Sequence, residues 1–119
     1  MQNDILQKKA EYFKALSHPT RLRILELLTK GEYCVCEEIC VCDLLRELRL
    51  EQSNVSQHLA VLRKQGIVTA RKQGMKVLYS IKNPKVYEVI DYVSKIIKQE
   101  IMDDVTLVEQ LKTTVKKSV

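Results

Sequence analysis

Apolar positions along this chain recur at helical spacing in most segments and give way to β-prone runs in one, between residues 67 and 81. Ile5, Leu6, Lys9, Tyr12, Phe13 and Leu16 fall near one stripe and predict an amphipathic helix over about 4–16. Ser17-His18-Pro19 then supplies a stop and a restart. Ser17 or His18 can flank the cap, and Pro19 suits a first helical turn, where its missing N–H would be unpaired anyway. The second helix runs to about Lys30, burying Leu22, Ile24, Leu25 and Leu28, with Gly31 placed to end it. Glu32 to Cys36 reads as a short link, and Glu37 to about Leu48 as a third helix offering Ile39, Leu44, Leu45 and Leu48 to the core. After a turn over 49–52, Ser53 can cap a fourth helix through about Gln65, with Val55, Leu59 and Leu62 as its apolar stripe and Gly66 as its stop.

Two β-prone runs over about 67–81, joined at Gln73-Gly74, predict a hairpin. Pro84 opens a last helix over about 85–112, with Val86, Val89, Ile90, Val93, Ile96, Ile97, Ile101 and Val105 along it. That stripe is too large to hide against so small a domain and calls for a partner helix. There are no repeats, linkers or low-complexity tracts. The order of elements holds a helix-turn-helix followed by a β-wing. The expected class is therefore mainly α with a β-hairpin wing, a winged helix-turn-helix in one domain over 1–119. A chain of 119 residues suits one domain. It buries roughly two-thirds of its unfolded surface, enough for a core.

Charge adds direction to that fold. The net charge is +5, from 20 basic and 15 acidic residues. Residues 52–80 carry five cations (Arg63, Lys64, Arg71, Lys72, Lys76) and no acid, so this segment accounts for the whole excess. A positive charge concentrated in one stretch suits phosphates. Burying Val55, Leu59 and Leu62 turns Ser53, Ser56, Gln57, Ala60 and Lys64 to the opposite face of the fourth helix. Small polar side chains there suit a major groove, with Gln57 able to pair with adenine and Ser56 to meet a base or phosphate. The expected DNA-binding set is Ser53, Asn54, Ser56, Gln57, His58, Arg63 and Lys64 on the helix of about 53–65. Arg71, Lys72 and Lys76 extend it onto the wing of about 67–81. His58 lies at the edge of the apolar stripe and supports the reader helix rather than binding a metal.

All four cysteines lie within nine positions, Cys34-Val35-Cys36-Glu37-Glu38-Ile39-Cys40-Val41-Cys42. Thiolates this close invite a soft ion, a metalloid or a disulfide. The N-terminus has no apolar run with a cleavage site, and no stretch approaches the ~20 apolar residues of a membrane span. The expected location is the cytoplasm, where structural disulfides are rare and clustered cysteines bind metal or do redox chemistry. A structural zinc site, a thiol–disulfide switch and burial as plain hydrophobes are the competing uses of the cluster. An enzyme is not expected: there is no Cys-x-x-Cys on a βαβ pattern and no base beside a nucleophile.

Three motifs carry a family resemblance. They are Phe13-Lys14-Ala15-Leu16-Ser17-His18-Pro19-Thr20-Arg21-Leu22-Arg23-Ile24-Leu25, then Ile39-Cys40-Val41-Cys42-Asp43-Leu44, then Ser53-Asn54-Val55-Ser56-Gln57-His58-Leu59-Ala60-Val61-Leu62. In this order and spacing, over about residues 10 to 82, the chain resembles the ArsR/SmtB family of metal-responsive repressors. The resemblance implies a winged-helix homodimer, joined through its first and last helices, that binds double-stranded operator DNA and is released by a ligand. It implies that Cys40-Val41-Cys42-Asp43 is the family's thiolate box. The implied inducers are arsenite or antimonite, or a soft divalent ion such as cadmium, lead or zinc. No Cys precedes position 34, so the family's N-terminal ligands have no counterpart, and Cys34 and Cys36 are the natural completion. On a helix, positions i and i+2 point about 200° apart, whereas Cys36 and Cys40 would share a face if the helix starts early. The expected ligand set is three thiolates including Cys40 and Cys42, with Cys36 favoured over Cys34. The family's other metal site, on the last helix, is expected to be absent or weak, because Asp91, Glu100, Asp103 and Asp104 have no His among them.

Overall fold

The computed structural model describes residues 2–31, 33–36 and 43–117. Its elements are α1 (Gln2–Leu16), α2 (Pro19–Leu28), β1 (Tyr33–Cys36), α3 (Asp43–Leu48), α4 (Gln52–Lys64), β2 (Val68–Gln73), β3 (Lys76–Ile81) and α5 (Lys85–Lys117). The chain divides into two compact units, Met1–Tyr87 and Glu88–Val119.

In the first unit, α2 packs against α1, α3, α4 and β3, and so forms the centre of the core. Ile24, Leu25, Leu27 and Leu28 of α2 are buried with Ala15, Leu16, Leu44, Val55, Leu59, Leu62, Ile67, Val68 and Val86. Leu22 is only half-buried, and Leu27 occupies the core place expected for it. α2 begins on His18, whose ring Nδ1 accepts a hydrogen bond from the Thr20 amide at 3.0 Å, with Pro19 in the first turn.

Of the link expected over Glu32–Cys36, Tyr33–Cys36 is instead a strand. β1 pairs antiparallel with β3, and the sheet has the order β1-β3-β2. Alternation in a four-residue strand is too short to register as periodicity, and its partner lies some forty residues away, so pairing decides here over local pattern. The third helix is described only from Asp43; its expected first turn, residues 37–42, lies outside the described residues. α3 closes on Arg49, a non-glycine residue at φ 53, whose amide reaches Leu45 O at 2.9 Å.

α4 starts one residue earlier than expected. Glu51 holds the cap position without a side-chain capping bond, and Ser53 lies inside the first turn. Its other end is a Schellman closure: Gly66 N–H bonds to Arg63 O at 3.0 Å and Ile67 N–H to Leu62 O at 2.9 Å. Gly66 has φ 79, and the flanking Ile67 and Leu62 are both buried. The hairpin turns on Gly74-Met75, one residue later than Gln73-Gly74, with Gln73 opposite Lys76. Gly74 at φ 64 in the first central position fits a tight two-residue turn.

α5 is started by Asn83, whose side-chain oxygen accepts from the Lys85 amide at 3.0 Å. In the second unit the helix carries exposed apolar residues along much of its length, among them Val93, Ile97, Ile101, Val105, Val108 and Leu111. With Ile90 these step by three or four residues through seven places, close to the 3.5-residue period of a coiled-coil seam. Among the described residues, no helix is long and apolar enough to cross a membrane.

Candidate nucleic-acid interface and thiol segment

α4 divides by periodicity into a buried stripe and an open face. Val55, Leu59 and Leu62 are fully buried, whereas Ser53, Asn54, Ser56, Gln57, Ala60, Arg63 and Lys64 are exposed. The first turn of α4 holds no acid and its last turn holds Arg63 and Lys64. The open face thus presents small hydrogen-bonding groups first and cations after them. Ser56, Ala60, Arg63 and Lys64 line a shallow cleft of about 430 Å³ with Tyr79 of β3, which brings reader helix and sheet to one surface.

The three wing cations are all exposed but do not share a face. The register Arg71↔Leu78, Lys72↔Val77 and Gln73↔Lys76 puts Arg71 and Lys76 on one side of the sheet and Lys72 on the other. Lys72 is on the side of Val68 and Tyr79, which is the side of α4; Arg71 and Lys76 are on the outer side with Thr69 and Ser80. Sequence reasoning treated the three as one tip because a hairpin's register cannot be read from its charges.

His58 packs its ring against that of His18, with centroids 4.3 Å apart and planes tilted by 43°. α4 is therefore braced on the residue that caps α2. Burial pushes the His58 imidazole below its ordinary range, and the charges of His18 and Arg21 push the same way. The unfolded chain then takes up this proton at a higher pH than the folded one does. Stability carried by neutral His58 is complete above pH ~6.5 and is lost as pH falls towards the lower folded value. In urea titrations between pH 5 and 7.5, His58→Gln is expected to flatten part of the acid-side decline. An unchanged slope would mean that the ring contact carries no proton linkage.

A second cleft, about 810 Å³, lies among α1, α2 and α4 and is lined by Lys8, Lys14, Arg21, Lys64, Tyr12 and neighbours. Arg21 Nε is buried there without a hydrogen-bond partner. These cations were missed because Lys8, Lys14 and Arg21 are scattered in a sequence stretch whose net charge is unremarkable. Burial also raises the Tyr12 phenol above its usual range.

Of the four cysteines, Cys34 and Cys36 are on β1, whereas Cys40 and Cys42 lie outside the described residues. The reason for favouring Cys36, a helical i, i+4 relation to Cys40, fails because the backbone of Cys36 is paired with Lys76 in the sheet. α3 packs on β1 and α2, and α2 on α4. β1, which carries Cys34 and Cys36, therefore connects to α4 through α3 and α2 and to the hairpin through β3. Among the described residues, no three His, Cys, Asp or Glu side chains gather to hold a metal ion. On α5, Asp91 is paired with Lys95 at 3.2 Å and Asp103 accepts from Gln99 at 3.0 Å.

Comparison with known proteins adds the following. The sequence model of the bacterial regulatory protein, arsR family, matches residues 18–37 and 38–70. An uncharacterised HTH-type transcriptional regulator of Mycobacterium tuberculosis, Rv0081, is 41% identical over 113 residues, 94% of this chain and 95% of that protein. Its crystal structure matches with a TM-score of 0.72, covering 85% of this chain and 96% of that one. The arsenical resistance operon repressor of Staphylococcus xylosus is 38% identical over 82 residues, 69% of each chain. A homodimeric winged helix-turn-helix DNA-binding domain from Mycobacterium bovis, solved in solution, has a TM-score of 0.72 at 27% identity over 84% of this chain and 87% of that one.

Proposed function

Because the chain belongs to the arsR family of bacterial regulatory proteins, transcriptional regulators and not enzymes, we propose that it is a dimeric repressor released from its operator by a thiolate-bound ion. The inducer in this reading is arsenite or antimonite, or a soft cation such as cadmium, lead or zinc, held by three thiolates that include Cys40 and Cys42, with Cys36 or Cys34 as the third. The observation that carries the reading is the crowding of every thiol of the chain into residues 34–42, which run from β1 to the residue before α3. Soft ions select thiolates, and a cytoplasmic setting would keep them reduced.

The DNA surface in this reading is the open face of α4 with the wing. Gln57 and Ser56 read base edges, while Asn54, Ser53, Arg63, Lys64, Lys72, Arg71 and Lys76 meet backbone phosphates. The dimer uses the exposed apolar faces of α1 (Ile5, Leu6, Phe13) and α5 (Val93, Ile97, Ile101, Val105). The homodimeric M. bovis domain supports the dimer itself. Release follows from linkage: an ion that binds the non-DNA conformation more tightly lowers operator affinity by that ratio, typically 1–3 kcal/mol.

The test is fluorescence anisotropy of reduced, metal-free protein on DNA from upstream of its own gene, with arsenite, cadmium, lead and zinc titrated in parallel. Stoichiometric loss of binding with one of them, abolished by Cys40→Ser/Cys42→Ser, is the expected result. Tight binding indifferent to every ion, yet lost on oxidation with diamide, would replace ion sensing by a thiol–disulfide switch.

A further inference from the structure

Two clefts flank α4, and they meet at one residue. At about 100° per residue, Ser56, Ala60 and Arg63 lie to one side of Lys64, and Val61 and Gln65 to the other. The first three line the cleft shared with Tyr79 of β3, and the last two line the cleft among α1, α2 and α4. Lys64 borders both. Ser53 and Gln57 fall within about 20° of Lys64 around the helix, so Gln57 projects from the ridge between the two clefts.

The cleft away from the sheet is strongly cationic. Lys8 and Lys14 of α1, Arg21 of α2 and Lys64 line it, against a single carboxylate, Glu11, which accepts from Gln7 at 3.4 Å. Among the described residues, none of these four cations is in an ion pair. Arg21 is half-buried, and its Nε is buried without an acceptor. Positive charges held together without a counter-charge repel one another, and one of them is partly desolvated, so the cleft is stabilised when an anion enters it. Leu6 and Phe13, assigned above to the dimer or exposed beside it, lie towards the other side of α1 from Lys8.

The shape of duplex DNA selects the anion. A major groove about 12 Å wide admits a helix about 10–12 Å across, so a helix lying in it has a phosphate backbone close on each side. Arg63 and Lys72 serve the strand on the sheet side of α4, which leaves the other strand to the opposite cleft. We propose that the cleft among α1, α2 and α4 is a second phosphate-binding site, in which Lys8, Lys14 and Arg21 hold the DNA strand that runs along α4 on the side away from the wing. The site rests on the reading of α4 as the helix in the major groove. It makes α1 a DNA-binding element as well as a dimerisation helix.

The experiment uses Lys8→Ala/Lys14→Ala in the full chain, since both side chains are exposed and their loss leaves the core intact. Anisotropy on operator and on unrelated duplex between about 50 and 200 mM salt reads the slope of log affinity against log salt. Each phosphate contact contributes about 0.9 to that slope, so it should fall by roughly 2 per bound chain, with low-salt affinity for both duplexes lowered roughly tenfold or more. Lys30→Ala/Lys98→Ala removes exposed cations from outside both clefts and should change the slope little. An equal drop with that control would overturn the site, because net charge alone would then explain the loss. Phosphate-ethylation interference places the contact. Wild-type protein should be blocked by ethylation on both strands walling the groove at each half-site, and Lys8→Ala/Lys14→Ala protein on only one. An unchanged pattern, or one weakened equally on both strands, would overturn the assignment. An unchanged pattern with tight, saturable binding of inorganic phosphate to the DNA-free wild type would give the cleft to a free phosphorylated ligand instead. Failure of the underlying reading looks different: a wild-type protein blocked by ethylation on neither strand would take α4 out of the groove, and this site with it.

Discussion

Ile97→Glu/Ile101→Glu protein is expected to be monomeric and to hold its operator at least a thousandfold more weakly than the wild type. Ile97 and Ile101 are 50% and 56% exposed in the single chain, on the 3.5-period seam of α5. Burial of an isoleucine side chain contributes roughly 1.5–3 kcal/mol. With about half of each side chain still exposed, four of them per dimer then contribute roughly 3–6 kcal/mol, about two to four decades in the dimerisation constant. A winged-helix dimer grips two half-sites, and the second grip is strengthened by an effective concentration in the millimolar range. A monomer loses that second grip, which at nanomolar protein is the source of the thousandfold estimate. Glutamate is a good helix former, so helicity should persist by circular dichroism. Sedimentation reads the mass and anisotropy the affinity. A dimer of unchanged strength would place the interface elsewhere and remove the seam from the proposed assembly.

The parts of this fold that sequence pattern predicts are those in which burial and periodicity coincide over several turns. α4 is an example: Val55, Leu59 and Leu62 recur at helical spacing, and all three are fully buried. His18-Pro19 is another, because a cap and a proline act within a few residues of themselves. What pattern missed depends on partners distant in the chain. β1 exists because β3 pairs with it, and no property of Tyr33-Cys34-Val35-Cys36 alone separates a strand from a link. That one strand changes the candidate site, because it takes Cys34 and Cys36 off the expected link and pairs their backbone with Leu78 and Lys76. The split of the wing cations between two faces is likewise a fact of register.

A second pair of substitutions separates what α4 does for the fold from what it does for DNA. Leu59→Ala removes a fully buried side chain from the helix, next to the α2 core of Ile24 and Leu25. Loss of its burial and the cavity left behind should cost about 2–5 kcal/mol of stability. Domains of this size hold only about 5–15 kcal/mol in all, so this variant should melt many degrees lower and at the top of that range approach unfolding. Gln57→Ala, two residues earlier on the open face, should leave stability within about 0.5 kcal/mol. It should instead weaken operator binding by about 1–3 kcal/mol, roughly 5- to 150-fold, while binding to unrelated DNA stays the same. Urea titrations and anisotropy at fixed salt read the two effects independently. If Gln57→Ala weakened operator and unrelated DNA alike, Gln57 would be a backbone contact and the reading of bases would fall to Ser56 and its neighbours. If it weakened neither while Lys64→Ala weakened both, α4 would hold DNA by charge alone, and specificity would have to come from the spacing of two half-sites set by the dimer.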